Sequence, residues 1–133
     1  MRAAPNNPTL NAMKLVPDAH RGPSITAYGP GWVAVNGEKT HSSILISAMG
    51  GHSAWDCARF EDLQAHHFDQ LAALNPELVL FGSGEKIRFV YPALLQTLYS
   101  RRIGVETMDT QAACRTYNFL SAEGRKVVAA LLL

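Results

Sequence analysis

Leu78-Val79-Leu80-Phe81-Gly82-Ser83-Gly84 is the stretch on which the fold of this chain turns. Its four apolar residues follow one another without polar alternation, so the run reads as a strand buried on both faces, and the Gly-Ser-Gly after it as a tight turn. Downstream, Pro92 stands where the first turn of a helix tolerates a missing N–H. Leu95, Leu98 and Tyr99 are predicted to form the inner face of that helix, Arg101 and Arg102 to complement the negative end of its dipole, and Gly104 to cap it. Val105 to Met108 then reads as a further inner strand, which completes a strand, helix, strand unit.

Beyond that unit, Asp109 or Thr110 is a predicted N-cap, and Ala113, Tyr117 and Leu120 mark the buried face of a last helix. By periodicity alone the terminal run Lys126 to Leu132 suits a buried strand or a short buried helix, and its length and two valines lean towards strand. Upstream, Phe68, Leu71 and Ala72 recur at helical spacing, and Asn75-Pro76 should end that helix because Pro disfavours the helical conformation in the residue before it. Ser43 to Ser47 is another continuous apolar strand, followed by a loop at Met49 to Ser53. Trp55 is expected to cover apolar surface while its indole N–H finds a partner. Ile25 to Tyr28 and Trp32 to Val35 flank Gly29-Pro30-Gly31, and Asn36-Gly37 supplies a hairpin turn before Glu38 to Thr40, so the front third is antiparallel. Inner strands alternating with helices predict an α/β fold with parallel inner strands and right-handed crossovers.

At 133 residues the chain fits one domain that buries roughly two-thirds of its unfolded surface without help from metals or disulfides. Residues 1–12, rich in Asn, Pro, Ala and Thr, read as a flexible tail, and 13–133 as a single domain opening at Met13. Twelve basic against eleven acidic side chains leave a net charge of +1, too little field to attract nucleic acid or an anionic membrane. No apolar run approaches the roughly 20 residues that span a bilayer, and no signal-like apolar block follows Arg2. Cys57 and Cys114 lie far apart and outside any Cys-x-x-Cys, which reads as free thiols in the cytoplasm.

Ligands of open α/β sheets bind beyond the carboxyl ends of parallel strands, so Ser47 to Gly51, Gly82 to Glu85, and Asp109 with Thr110 are expected to meet along one edge. There Gly82, Ser83 and Gly84 form either a simple tight turn or a backbone cradle for an anion, with Thr110 adding a helix N-terminus and Arg88 and Arg115 the countercharge. Ile87 replaces the third Gly of a dinucleotide fingerprint, and no Gly-Lys-Ser/Thr follows, so neither nucleotide motif is complete. Asp109 reads as a helix cap before a general base, and Cys114 as a small buried hydrophobe before a nucleophile. Asn118 and Arg125, set among apolar neighbours, read as ties between the last helix and the final strand before ligand contacts. His66 and His67 are adjacent and should diverge by about 100° on a helix, and His20, His41 and His52 lack ligand spacing, so neither a metal nor a cofactor is expected.

Pro76-Glu77-Leu78-Val79-Leu80-Phe81-Gly82-Ser83-Gly84, Ile103-Gly104-Val105-Glu106, and Met108-Asp109-Thr110 through Ala112-Ala113-Cys114-Arg115-Thr116-Tyr117-Asn118 to Glu123-Gly124-Arg125 resemble the bacterial branch of the Mth-type domain family of uncharacterised function. The resemblance runs from about Leu15 to the C-terminus. It implies a three-layer α/β fold around a mixed sheet whose last strand is antiparallel to its neighbours, which resolves Lys126 to Leu132 as strand. Val90 departs from the Phe-Pro-x-Pro segment of similar bacterial sequences, leaving the approach to Pro92 less rigid. Relatives of that family include a mitochondrial assembly factor for respiratory complex I and a cytosolic protein linked to fat-cell differentiation. The implied role is a non-enzymatic interaction or assembly-factor-like module, with an unknown protein partner or self-association as a dimer. The alternative is a small-anion-binding protein or enzyme using Gly82, Ser83, Gly84, Arg88, Asp109, Thr110, Arg115 and Asn118.

Overall fold

Hairpins build the front of the molecule, and a computed structural model describes it from Gly22 to Leu133. The tail over 1–12 and the domain start at Met13 lie outside the described residues. Strands β1 (Ile25–Gly29), β2 (Trp32–Val35) and β3 (Glu38–Thr40) form a three-stranded antiparallel sheet, turning at Pro30-Gly31 and Asn36-Gly37 as the sequence predicts. Strand β4 (Ile44–Ser47) begins the second sheet, and β5 (His52–Ala54) returns antiparallel to it. The β5 strand begins within the stretch Met49 to Ser53 that the sequence reads as a loop. Its turn places Gly50 at φ 127° and Gly51 at φ 90°, values that L side chains rarely adopt, so the Gly-Gly pair makes the reversal possible.

Helix α1 (Ala65–Ala72) buries His67, Phe68, Leu71 and Ala72. The chain leaves it through Asn75, which takes a left-handed φ of 61° before Pro76. Strand β6 (Leu78–Gly82) follows, then a 3₁₀ turn at Pro92–Leu95 leading into α2 (Gln96–Ser100). The tighter 3₁₀ turn rotates the expected inner face: Leu95 and Leu98 point inward, whereas Tyr99 is 54% exposed. Nor does Gly104 cap this helix. Arg102 adopts a left-handed φ of 59° after it, and Gly104 opens strand β7 (Gly104–Met108). Helix α3 (Thr110–Ala122) and strand β8 (Val127–Leu131) complete the chain.

The second sheet has the order β5-β4-β8-β6-β7. Pairs β6·β7 and β6·β8 are parallel, and β4·β8 is antiparallel. The last strand is therefore antiparallel to β4, as the resemblance implies, but parallel to β6. Strand β7 pairs with β6 alone and lies at the sheet's edge, not among its inner strands. Because β4 runs against β8, its exit at Ala48 lies beside Val127, where the Ala48 N–H donates to the Val127 carbonyl (2.9 Å).

Alternating side chains of the central strands divide the core into two layers. Val79, Phe81, Val128 and Ala130 pack with Phe68, Leu71, Leu95 and Leu98 on the α1/α2 face. Leu80, Val127, Ala129 and Leu131 pack with Ala113, Cys114 and Tyr117 of α3 and with Val33 and Val35 of the small sheet on the other. This is the predicted three-layer α/β arrangement, with one correction inside the first layer. The buried Trp55 indole nitrogen has no hydrogen-bond partner among the described residues. Its ring meets Phe68, Phe81 and His67 at steep angles, with centroids 6.1, 6.2 and 5.9 Å away, so it is held by aromatic packing instead of by the expected hydrogen bond.

Candidate functional site

The carboxyl ends of β6 and β8 meet the start of α3 at one edge of the sheet, and backbone contact there is close. A Cβ on Gly82 would come within 2.9 Å of the Leu131 side chain and 3.1 Å of the Thr110 Cα, so only glycine fits without a shift. The Thr110 hydroxyl donates to the Leu132 carbonyl (2.7 Å) and accepts from the Gly84 N–H (2.8 Å), while the Thr110 N–H donates to the Gly84 carbonyl (2.9 Å). Ser83 is used in the same way. Its N–H donates to the Met108 carbonyl (2.9 Å), and its hydroxyl donates to the Lys86 carbonyl (2.7 Å) and accepts from the Arg88 N–H (2.9 Å). Asp109 is the N-cap of α3, its carboxylate accepting from the Ala112 N–H at 3.0 Å. These bonds occupy the N–H groups of Ser83 and Gly84 that an anion cradle would present, which makes the Gly-Ser-Gly a closed turn. Between it, the Pro30-Gly31 turn and Thr110-Gln111 remains an open cavity of about 200 Å³.

Gly82, Ser83, Gly84, Asp109 and Thr110 are thus brought together, and the remaining candidates are not. Ser47 to Gly51 stands at the opposite end of the sheet, since β4 runs antiparallel to β8. Arg88 pairs with Glu61 (3.0 Å) and lies over the Phe60 ring at 4.1 Å, on the α1/α2 face. Arg115 sits on the opposite face, 3.3 Å from the Tyr28 hydroxyl. The Asn118 amide brackets one residue of β1, accepting from the Ile25 N–H (3.0 Å) and donating to the Ile25 carbonyl (2.7 Å). It therefore ties α3 to the small sheet instead of to the final strand. Arg125 does reach strand ends, joining Glu77 (3.2 Å), whose carboxylate also accepts from the Lys126 N–H (2.7 Å).

Both thiols are sealed. Burial pushes the Cys114 thiol up to about 12 and also raises Cys57, whose sulfur contacts the Arg59 carbonyl at 3.1 Å. Burial likewise raises the Tyr117 phenol to about 12, and its hydroxyl donates to the Pro23 carbonyl (2.7 Å).

The adjacent histidines do not diverge as the helical angle suggests. Their ring centroids lie 4.0 Å apart, and with Asp56 they place three potential metal-ligating atoms within 4.8 Å of one another. His67 spends both nitrogens on structure. Its Nδ1 accepts from the Gln64 N–H (3.0 Å) in a capping box, which puts the proton on Nε2, 3.1 Å from the Asp56 carbonyl. A metal at Nε2 would have to displace that proton while Nδ1 still faces an N–H donor. The sequence signal for this closure was the Gln64-x-x-His67 spacing at a helix start.

A surface feature lies outside these candidates. Ile87, Phe89 and Tyr91 are 51%, 72% and 78% exposed, beside a groove of about 260 Å³ lined by Phe60, Leu63, Val90 and Leu94. The available clue was that four of the five residues from 87 to 91 are apolar or aromatic, Arg88 being the exception.

Fold and edge together define a three-layer α/β domain whose loop junction is held shut by its own hydrogen bonds and whose thiols are buried. The chain belongs to the family described as "Protein of unknown function (DUF498/DUF598)", which matches residues 25–132. It is similar to a Bordetella parapertussis protein of known crystal structure, with 41% identity, TM-score 0.79, and coverage of 84% of this chain and 95% of that one. A Bordetella pertussis protein described as a Mth938-like domain has 31% identity and TM-score 0.75, over 99% of this chain and 92% of that one. The bovine NADH dehydrogenase [ubiquinone] 1 alpha subcomplex assembly factor 3 is 36% identical over 110 residues, 81% of this chain and 59% of that protein. The chain spans about half the length of the first curated relatives it matches, 43% of the mouse and 59% of the bovine protein. Among the described residues no helix is long and apolar enough to cross a membrane.

Proposed function

We propose that this chain is a non-enzymatic interaction module that acts as an assembly factor for other polypeptides, in the cytoplasm. The observation that carries the reading is the 36% identity to an assembly factor across 81% of the chain. Physical features support it. The loop edge spends its polar groups on holding β6, β8 and α3 together, both thiols are protonated and enclosed, and an apolar strip lies on the surface. Two buried free thiols accord with a reducing compartment. The test is affinity purification of the tagged chain under native conditions, with stoichiometry read by native mass spectrometry. A stoichiometric protein partner, or a defined self-assembly, is expected. A monodisperse monomer that recovers nothing would overturn the reading.

One observation favours a second reading, a small anionic ligand at the loop edge: the cavity of about 200 Å³ lies where β6, β7 and β8 end. Gly84 and Thr110 line it, Gly82, Ser83 and Asp109 would support its walls, Asn118 stays on Ile25, and Arg88 or Arg115 would supply charge only by leaving their present contacts. Thermal-shift screening with anionic metabolites tests it. Melting that stays unchanged across the panel, or changes that survive Thr110→Val, would remove it.

A further inference from the structure

We infer that strand β7 is a self-association edge: two copies of this chain pair their β7 strands antiparallel about a two-fold axis at Glu106, joining two five-stranded sheets into one. This rests on the interaction reading and names one partner, a second copy. Backbone direction carries it first. The Gly104 N–H donates to the Glu77 carbonyl (3.2 Å) and the Met108 carbonyl accepts from the Ser83 N–H (2.9 Å), so Gly104, Glu106 and Met108 turn their backbone groups towards β6. Alternation then turns the N–H and carbonyl groups of Val105 and Thr107 away from the sheet, where no described residue bonds them. Open groups at this spacing are matched by another extended backbone.

The other sheet edges are blunted. Strands β3 and β5 have three residues each, β3 carries Glu38 and Lys39, and β1 breaks register between Ile25 and Ala27. In contrast, β7 keeps register with β6 over all five of its residues and carries neither Pro nor Lys. Hydrogen-bond accounting then selects the register. With the axis at Glu106, Val105 of each copy faces Thr107 of the other, and the open groups of the two strands satisfy one another. An axis at Val105 would set Thr107 against Ile103, whose N–H is already given to the Leu98 carbonyl (2.9 Å). An axis at Thr107 would set Val105 against Asp109, whose carbonyl already accepts from the Ala113 N–H (3.0 Å).

Charge makes the edge its own complement. The exposed Arg102 precedes the strand, Glu106 lies in it and Asp109 follows it. An antiparallel copy brings the Arg102 of each chain towards the Asp109 of the other, two attractions against the one repulsion between the facing Glu106 carboxylates. A parallel copy would set like charges side by side. Because Glu106 is exposed, water screens its repulsion, which lowers the affinity without forbidding the pairing.

The experiment is sedimentation velocity of the full chain from low to high micromolar concentration, with hydrogen exchange read residue by residue at both ends of that range. A monomer–dimer equilibrium is expected, in which the Val105 and Thr107 amides gain protection with concentration while those of Gly104 and Glu106 are protected throughout. Thr107→Pro removes a donor that faces away from β6 and should weaken the dimer at least about tenfold. Glu106→Gln should strengthen it about two- to fivefold. The native thiols being buried, oxidised Glu106→Cys should form a covalent dimer, because facing Cα atoms about 4.5 Å apart lie within disulfide reach. Lys39→Cys, exposed on the small sheet, should not. A dimer undiminished by Thr107→Pro, or a Glu106→Cys chain that links no more than Lys39→Cys, would overturn the proposal. A chain monomeric at every concentration whose Val105 and Thr107 amides are nonetheless protected would overturn it too, giving the edge to residues 1–21 or to another polypeptide. A monomer that captures a different stoichiometric protein would overturn it while leaving the interaction reading standing.

Discussion

Thr110 closes the junction of three elements with one hydroxyl, which donates to Leu132 and accepts from Gly84. Valine has the same shape without the oxygen, so Thr110→Val leaves a buried carbonyl and a part-buried N–H unpaired. It should cost about 1–3 kcal/mol in urea denaturation, and Thr110→Ser should recover most of this. Equal stability of the valine variant and the parent chain would show that the junction is held by packing alone. Glu77 belongs to the same scale. The Lys126 N–H first, and Arg125 second, hold its carboxyl below the ordinary value of 4.5. A carboxyl lowered on folding stabilises the folded state fully above that ordinary value, and its contribution is lost as the pH falls below 4.5. The stability gap between the parent chain and Glu77→Gln should therefore narrow with acid in that window. A gap independent of pH would sink this assignment. Sequence reading reached Asp109 as a cap because the N-cap preference is local. It could not reach the Thr110 hydroxyl's partners, since Gly84 and Leu132 are 26 and 22 residues away.

At the scale of elements, the small sheet is fastened to α3 by the Asn118 amide at Ile25 and by the Tyr117 hydroxyl at Pro23. Asn118→Ala removes both bonds to Ile25 and leaves two backbone groups part-buried. We expect a loss of about 1–3 kcal/mol, and faster hydrogen exchange at the Ile25 amide than at amides of β6. Uniformly faster exchange would mean that the small sheet is not separable from the rest. The elements themselves were legible where a pattern was complete, as in Asn36-Gly37 between two β runs or Phe68, Leu71 and Ala72 at helical spacing. The strand β5 was not, because three exposed residues carry no burial pattern to read.

For the whole molecule, the decisive fact is that one sheet serves two cores, with Cys57 in the layer beneath α1 and α2 and Cys114 in the layer beneath α3. At 1% and 0% exposed, neither thiol can react with a maleimide until its layer opens. Because β6 and β8 contribute side chains to both layers, the layers should open together. Pulsed labelling in increasing urea should then give the same opening free energy for each cysteine. Much faster labelling at Cys57 would show that the α1/α2 layer opens by itself.

The chain's own patterning determined most of its strands and helices, that the central strands are buried on both faces, and that Asp109 starts the last helix. These follow from interactions within a few residues: apolar periodicity, caps, and turn chemistry. Tertiary structure alone decided that β4 runs against β8, which carries Ser47 to Gly51 away from Gly84 and Thr110. It also decided that Arg88 and Arg115 face opposite sides and that Ile87, Phe89 and Tyr91 remain uncovered. Strand direction depends on which distant strand supplies the hydrogen bonds, and β4 meets β8 across the 79 residues between Ser47 and Val127, a separation no local pattern encodes.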